Sequence, residues 1–200
     1  MKVCLALVFV LLFSSASANE PTLLVLGDSL SAAFGIDEKQ GWVSLLQTRI
    51  NQENRAYKVI NASISGETSA GGVSRLPGLL KTYQPDIVIL ALGANDGLRG
   101  LSLNEMRSNL ASMINQAKSD GAKVLLVGMQ LPPNYGPAYI RLFHDTFLSL
   151  AEEEHIPLVP FLLEGVGGKR ELFQPDGLHP IAQAQARILD NVWHQLEKLL

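Results

Sequence analysis

A single cysteine, Cys4, stands in 200 residues. That scarcity excludes a disulfide framework and a cysteine-built metal centre. Aromatic residues make up 6% of the chain and charged residues 18%, with 16 Lys and Arg against 19 Asp and Glu for a formal charge of −3. No basic block interrupts that balance, so the footprint of a nucleic-acid surface is missing and no nucleic-acid partner is expected. Nor is there a run of the roughly 20 apolar residues that a membrane-spanning helix requires. What is abundant is ordinary apolar material: 47% hydrophobic residues, 17 Gly and 10 Pro describe a globular chain able to bury one sizeable core.

The longest apolar run, Val3 to Phe13, follows Lys2 and precedes Ser14, Ser15 and Ala16-Ser17-Ala18. It is about half the length of a membrane span, and the small residues after it fit a secretory cleavage site. Residues 1–18 therefore read as a signal peptide and residues 19–200 as one domain, released to the periplasm without a stable membrane anchor. Subtracting those 18 residues from 200 leaves 182, starting at Asn19. Cys4 goes with them, and so does Lys2, which leaves 15 cations against 19 anions, or −4. Such a chain has no thiolate for catalysis. Asn61-Ala62-Ser63 fits a glycosylation acceptor but follows an apolar strand.

Short apolar runs alternate with longer stretches of helical period, and no linker or repeat divides them. Thr22–Leu26, Lys58–Ile60, Ile87–Leu92, Lys123–Val127 and Leu158–Val159 read as strands with helices on both faces. Trp42–Ile50, Leu76–Tyr83, Ala138–Glu154 and Ile181–Leu200 read as helices. So does the segment from Ser102, where Glu105 completes a capping box, through Leu103, Met106, Leu110, Met113, Ile114 and Ala117 to a stop at Gly121. The alternation predicts an α/β fold, a three-layer α/β/α sandwich on a five-stranded parallel sheet. Ligands in such sheets bind beyond the carboxyl ends of the strands, so chemistry is sought there.

Four polar loops follow. Gly27-Asp28-Ser29-Leu30 comes after the first strand, Ser65-Gly66-Glu67-Thr68 after the second, Gly93-Ala94-Asn95-Asp96-Gly97 after the third, and Asp176-Gly177-Leu178-His179-Pro180 before the last helix. Each alone is a respectable turn. Together they supply what acyl transfer by a serine requires: a hydroxyl, an imidazole to take its proton, a carboxylate to orient that imidazole, and donors for an oxyanion. Asp176 and His179 are three residues apart, a spacing that one helical turn would bring to the same side. The order Ser, Asp, His is that of α/β-hydrolases, yet no Gly-x-Ser-x-Gly elbow surrounds Ser29.

Gly27-Asp28-Ser29-Leu30, Gly66, Gly93-x-Asn95-Asp96 and Asp176-x-x-His179 resemble, in order, the four blocks of the SGNH, or GDSL, hydrolases, across nearly all of residues 19–200. Ala94 stands where a second glycine of the third block is expected. The resemblance implies a flavodoxin-like sheet and assigns Ser29 as nucleophile, His179 as general base and then acid, and Asp176 as its orienter. It further implies an oxyanion hole of Ser29 N–H, Gly66 N–H and the Asn95 amide. Asp28 is expected to serve the turn or to support the residues that touch substrate, not the proton transfer. The function implied is hydrolysis of fatty acyl thioesters, carboxylic esters and lysophospholipids through an acyl-enzyme. A carbohydrate O-acetylesterase and a catalytically silent lipid-binding envelope protein are the alternatives on the same fold.

The apolar loop residues favour the first of these. Leu98 and Leu101 follow Asn95, and Leu131, Pro132, Pro133, Asn134, Tyr135, Pro137 and Tyr139 follow the fourth strand. Of these, Leu98, Leu131, Asn134 and Tyr135 are expected to hold the acyl substrate. His144, His155 and His194 lack catalytic surroundings, and no metal-ligand spacing occurs, so no metal or cofactor is expected. Gly165-Val166-Gly167-Gly168 lacks the third glycine of a dinucleotide loop, and the spacing from Gly66 to Gly71 lacks the Lys of a phosphate loop. A small-molecule acyl ester or thioester is the expected partner, met by a monomer.

Overall fold

A computed structural model of the chain describes residues 20–200. The signal-peptide reading, its cleavage after Ala18 and Cys4 all lie outside those residues. Five parallel strands, β1 (Thr22–Gly27), β2 (Lys58–Asn61), β3 (Ile87–Ala91), β4 (Lys123–Val127) and β5 (Leu158–Val159), form one sheet in the order β2-β1-β3-β4-β5. Six α-helices connect or follow them: α1 (Trp42–Gln52), α2 (Ser69–Tyr83), α3 (Ala94–Leu98), α4 (Leu103–Ser119), α5 (Pro137–Glu153) and α6 (Gln185–Leu196).

Successive side chains of a strand point to opposite faces, and in β1, β3 and β4 both faces are buried, which is why those strands are nearly continuous apolar runs. Leu23, Val25, Ile87, Ile89, Leu125 and Val127 pack against Trp42 and Leu46 of α1 and Ile188 and Val192 of α6. Leu24, Leu26, Val88, Leu90, Val124 and Leu126 pack against Leu76 of α2, Leu110 and Met113 of α4, and Phe143 and Phe147 of α5. A buried bond ties α1 to α6, with Trp42 N–H donating to Gln185 Oε1 at 3.1 Å. That acceptor serves a helix start whose preceding residue, Gly41, has no side chain to cap it.

The strands match the sequence reading within a residue at each end, but the helices differ in instructive places. α2 begins at Ser69, seven residues before the apolar period, with Thr68 Oγ1 accepting from Gly71 N–H. Gly71 and Gly72 disguise it, yet Gly72 is there for contact: a methyl group in its place would lie 2.4 Å from Leu92. α3 is a five-residue helix in what reads as a turn. The last helix starts at Gln185 after a 3-10 turn at Ala182–Ala184, and Pro180 pairs with Phe173 in an isolated bridge instead of opening it.

Phe147 links this core to the loop after β3, because its ring sits 3.0 Å from where a side chain on Gly93 would begin. Phe147→Ala should cost about 3–5 kcal/mol, as buried aromatic truncations do. Denaturant titration should show it as a lower midpoint at unchanged slope.

Candidate active site

The chain adds β2 on one side of β1 and β3, β4 and β5 on the other, so a crevice opens at the carboxyl ends of β1 and β3 where the direction reverses. The Ser29 loop leaves β1 and the Asn95 loop leaves β3, so the two flank that crevice. Asp28 winds the first loop: its carbonyl accepts from Ser31 and Ala32 N–H at 3.1 and 2.9 Å, and its Oδ1 from Leu30 N–H at 3.0 Å. Ser29 thus stands in a turn rather than at a helix start, and the next α-helix begins only at Trp42.

His179 reaches the serine from the other side, its Nε2 2.9 Å from Ser29 Oγ, while its Nδ1 lies 2.7 Å from Asp176 Oδ2. An ionised carboxylate can only accept, so Nδ1 carries the proton and Nε2 is left to take one from Ser29. The hydrogen bond from the imidazole, then that from Leu178 N–H, lowers Asp176 to a pKa of about 2. Asp176 and His179 do not share a helical turn. Asp176 Oδ1 instead accepts from the N–H groups of Leu178 and His179, at 2.9 and 3.1 Å, and Gly177 takes a φ of +72° that favours glycine.

Two contacts set the distance between the serine and histidine loops. The Phe34 ring, 47% exposed, lies over the His179 ring with centroids 4.4 Å apart, and Phe34 N–H donates to Ser29 O at 3.2 Å. Gln174 Nε2 donates to Phe34 O at 2.7 Å, and Gln174 N–H to His179 O at 2.8 Å. Arg170 holds the same strap from behind, its guanidinium donating to the carbonyls of Phe173, Gln174 and Pro175. Phe34, Gln174 and Arg170 are invisible to motif reading because their role is to join loops distant in sequence.

The N–H groups of Ser29 and Gly66 make no hydrogen bond among the described residues. Gly66 holds a φ of +81°, and Arg99 fixes its carbonyl at 2.8 Å. Asn95 is the second residue of α3, behind Gly93 at φ +112°, and its Nδ2 donates to Glu67 O at 3.0 Å and Asp28 Oδ2 at 3.3 Å. Asp96, beside it, is buried and accepts from Ser69 N–H and Ser69 Oγ, which ties α3 to the start of α2. Asp28 is only 2% exposed. Burial raises its pKa to about 6, against the partial relief given by Leu30 N–H and His179.

A cavity of about 490 Å³ opens beside Ser29, His179 and Asn95. Leu98 and Leu131 line it, as do Met129, Phe161, Leu163 and Phe173. Asn134 and Tyr135 are not among its lining residues: Asn134 is exposed, and the Tyr135 hydroxyl donates to Leu98 O at 2.8 Å, bracing that wall. Leu101 and Tyr139 are likewise absent from the lining, Tyr139 donating to Gly97 O. Met129 and Phe161, each two residues past a strand, were within reach of the rule that ligands sit beyond strand ends. Gly167 and Gly168 belong to the cavity wall and not to a nucleotide loop. Among the described residues no three His, Cys, Asp or Glu side chains are grouped to hold a metal ion, and no helix is long and apolar enough to cross a membrane.

Residues 25–187 match the model of the GDSL-like lipase/acylhydrolase family. Esterase TesA of Pseudomonas aeruginosa is 55% identical over 98% of this chain and 96% of its own. The thioesterase 1/protease 1/lysophospholipase L1 of Escherichia coli K12 is 40% identical over 98% of this chain and 93% of its own. Among solved structures, that of TesA superposes with a TM-score of 0.88 at 56% identity, covering 90% of this chain and 99% of that one.

Two outcomes follow from the site geometry. Gln174→Ala should slow phosphonylation of Ser29 by up to about 10²-fold through misplacement of the imidazole, with the melting temperature little changed. A carboxyl whose folded pKa is raised stabilises below its ordinary value of 3.8 and loses that contribution as pH rises through about 6. Asp28→Asn should therefore flatten the fall in melting temperature across that interval.

Proposed function

The chain belongs to the GDSL-like lipase/acylhydrolase family, and on that footing we propose that it is a serine esterase and thioesterase acting on fatty acyl thioesters, carboxylic esters and lysophospholipids. One observation carries the reading: the continuous relay from Asp176 through His179 to Ser29 ends at the mouth of an apolar-walled cavity.

Ser29 Oγ attacks the acyl carbonyl carbon as His179 Nε2 takes its proton, and Asp176 stabilises the imidazolium so formed. The carbonyl oxygen becomes an oxyanion held by Ser29 N–H, Gly66 N–H and the Asn95 amide. As the tetrahedral centre collapses, the carbon–sulfur or carbon–oxygen bond breaks and the thiol or alcohol leaves with the proton from His179. Water then attacks the acyl-enzyme by the same route, its proton passing to His179, and the acid departs as Ser29 recovers its hydrogen. The acyl chain lies along Leu98, Leu131, Met129, Phe161 and Leu163. Walls of that character oppose the shallow polar site that a carbohydrate O-acetylesterase requires, and an intact relay has no purpose in a silent lipid carrier.

Ser29→Ala should fold normally and abolish covalent labelling by a fluorophosphonate. Asn95→Ala should lose about 2.7–4 kcal/mol of transition-state stabilisation, read in kcat. Across p-nitrophenyl esters of increasing length kcat/KM should rise until the cavity is filled, by up to about fourfold per methylene if each contributes about 0.8 kcal/mol. A series flat or falling from acetyl onward would overturn the acyl reading. Export rests on residues 1–18, and the mass of protein recovered from a periplasmic extract should correspond to a chain starting at Asn19.

A further inference from the structure

An asparagine amide can be turned by 180° with little change in shape, and only its nitrogen end can donate to an oxyanion. Asn95 contributes to the reaction only if the amide is held the right way round. No described residue donates to its Oδ1, so nothing grips the oxygen end. Its orientation is set from the nitrogen end, where Nδ2 meets two acceptors, the Glu67 carbonyl at 3.0 Å and Asp28 Oδ2 at 3.3 Å. Turning the amide over would press Oδ1 against both of these oxygens. The Glu67 carbonyl is backbone, in a loop anchored by Arg75, whose Nε pairs with Glu67 Oε2 at 2.7 Å and whose NH2 donates to Ala62 O. Asp28 is the side chain of the pair, and its other oxygen is already fixed by Leu30 N–H.

We infer that Asp28 is a positioning residue that selects the donor orientation of the Asn95 amide, its Oδ2 accepting the amide proton that is then given over to the oxyanion. The inference rests on the assignment of Asn95 to the oxyanion hole. The two contacts are unequal, and the difference has a use. The shorter one, to Glu67, keeps the amide in place, while the longer one, to Asp28, is the weaker acceptor contact that a developing oxyanion displaces. Both protons are then employed before and during the reaction, and the buried amide is never left without partners. Placement at the turn next to Ser29 is what allows one carboxylate to shape the nucleophile loop through Oδ1 and the donor through Oδ2.

A double-mutant cycle decides. Asp28→Asn and Asp28→Ala should each lower kcat by about tenfold to a hundredfold on a short p-nitrophenyl ester and change KM by less than about twofold. In an Asn95→Ala background, where the donor is already gone, Asp28→Asn, which keeps an Oδ1 acceptor for Leu30 N–H, should cost less than about twofold more. Equal losses in both backgrounds, or a wild-type kcat in the Asp28 variants, would overturn the inference. Should Asn95→Ala itself keep full kcat, the assignment of Asn95 to the oxyanion hole falls instead, and the two failures are told apart. If the Asp28 variants do not fold, the unaltered enzyme answers by NMR: one Asn95 side-chain amide proton must change hydrogen-bond partner when a phosphonate occupies Ser29, and two unmoved resonances refute the inference.

Discussion

The reversal of strand order between β1 and β3 is the constraint on which the rest of the structure depends. Parallel strands point their carboxyl ends in one direction, so every loop that leaves the sheet toward the site leaves from the same edge. The reversal then separates the first of those loops from the third by a crevice that no helix fills. Ser29 and Asn95 face each other across it because of where their strands lie, and the Asp176–His179 loop closes it from the far end of the chain. Ser29 and His179, 150 positions apart in sequence, are thereby brought to a contact of 2.9 Å.

The charges around this crevice are arranged so that few are left unbalanced. Glu67 is paired with Arg75, Asp96 is satisfied by Ser69, and Asp176 is occupied by His179 and two backbone donors. Asp28 alone answers to burial more than to its donors, which is why its pKa moves up while that of Asp176 moves down. Two carboxylates near one imidazole differ in this way because one is exposed to solvent and hydrogen-bonded by the ring, and the other is enclosed.

Much of the fold was legible in the sequence because continuous apolar runs such as Ile87–Ala91 can be little else than strands covered on both faces. The start of α2 was not, since Gly71-Gly72 is a poor helix-forming pair and only the packing of Gly72 against Leu92 shows why a larger residue does not stand there. α3 was hidden for a related reason: Ala-Asn-Asp-Gly-Leu has turn composition and is helical because Gly93 can turn the chain at positive φ. At the site, polar residues at strand ends named Ser29, Asp176 and His179, which the structure brings into hydrogen-bonding range. Leu163 looks in sequence like any core residue, whereas Met129 and Phe161, two residues past β4 and β5, lie where ligands of such sheets bind and were open to the same reading as the polar loops. Asn134 and Tyr135 follow Leu131 closely in the chain, yet they do not join it in the cavity lining.

The double-faced packing of the sheet has a consequence that can be read from residue numbers. In β1, β3 and β4 the odd positions, such as Leu23, Ile89 and Leu125, face α1 and α6, and the even ones, such as Leu24, Leu90 and Leu126, face α2, α4 and α5. The helix that follows the histidine loop is thus seated on odd residues, and the helices that flank the Asn95 loop on even ones. Substitutions of one parity retune the seat of the helix behind His179 and those of the other the seat of the helices around Asn95, with the sheet between them as a partition. Changes that shift the helix behind His179 and changes that shift the helices around Asn95 can accumulate on separate sets of core positions, while the cavity, walled by Phe161 and Leu163 from one face and by Leu98 and Leu131 from the other, answers to both.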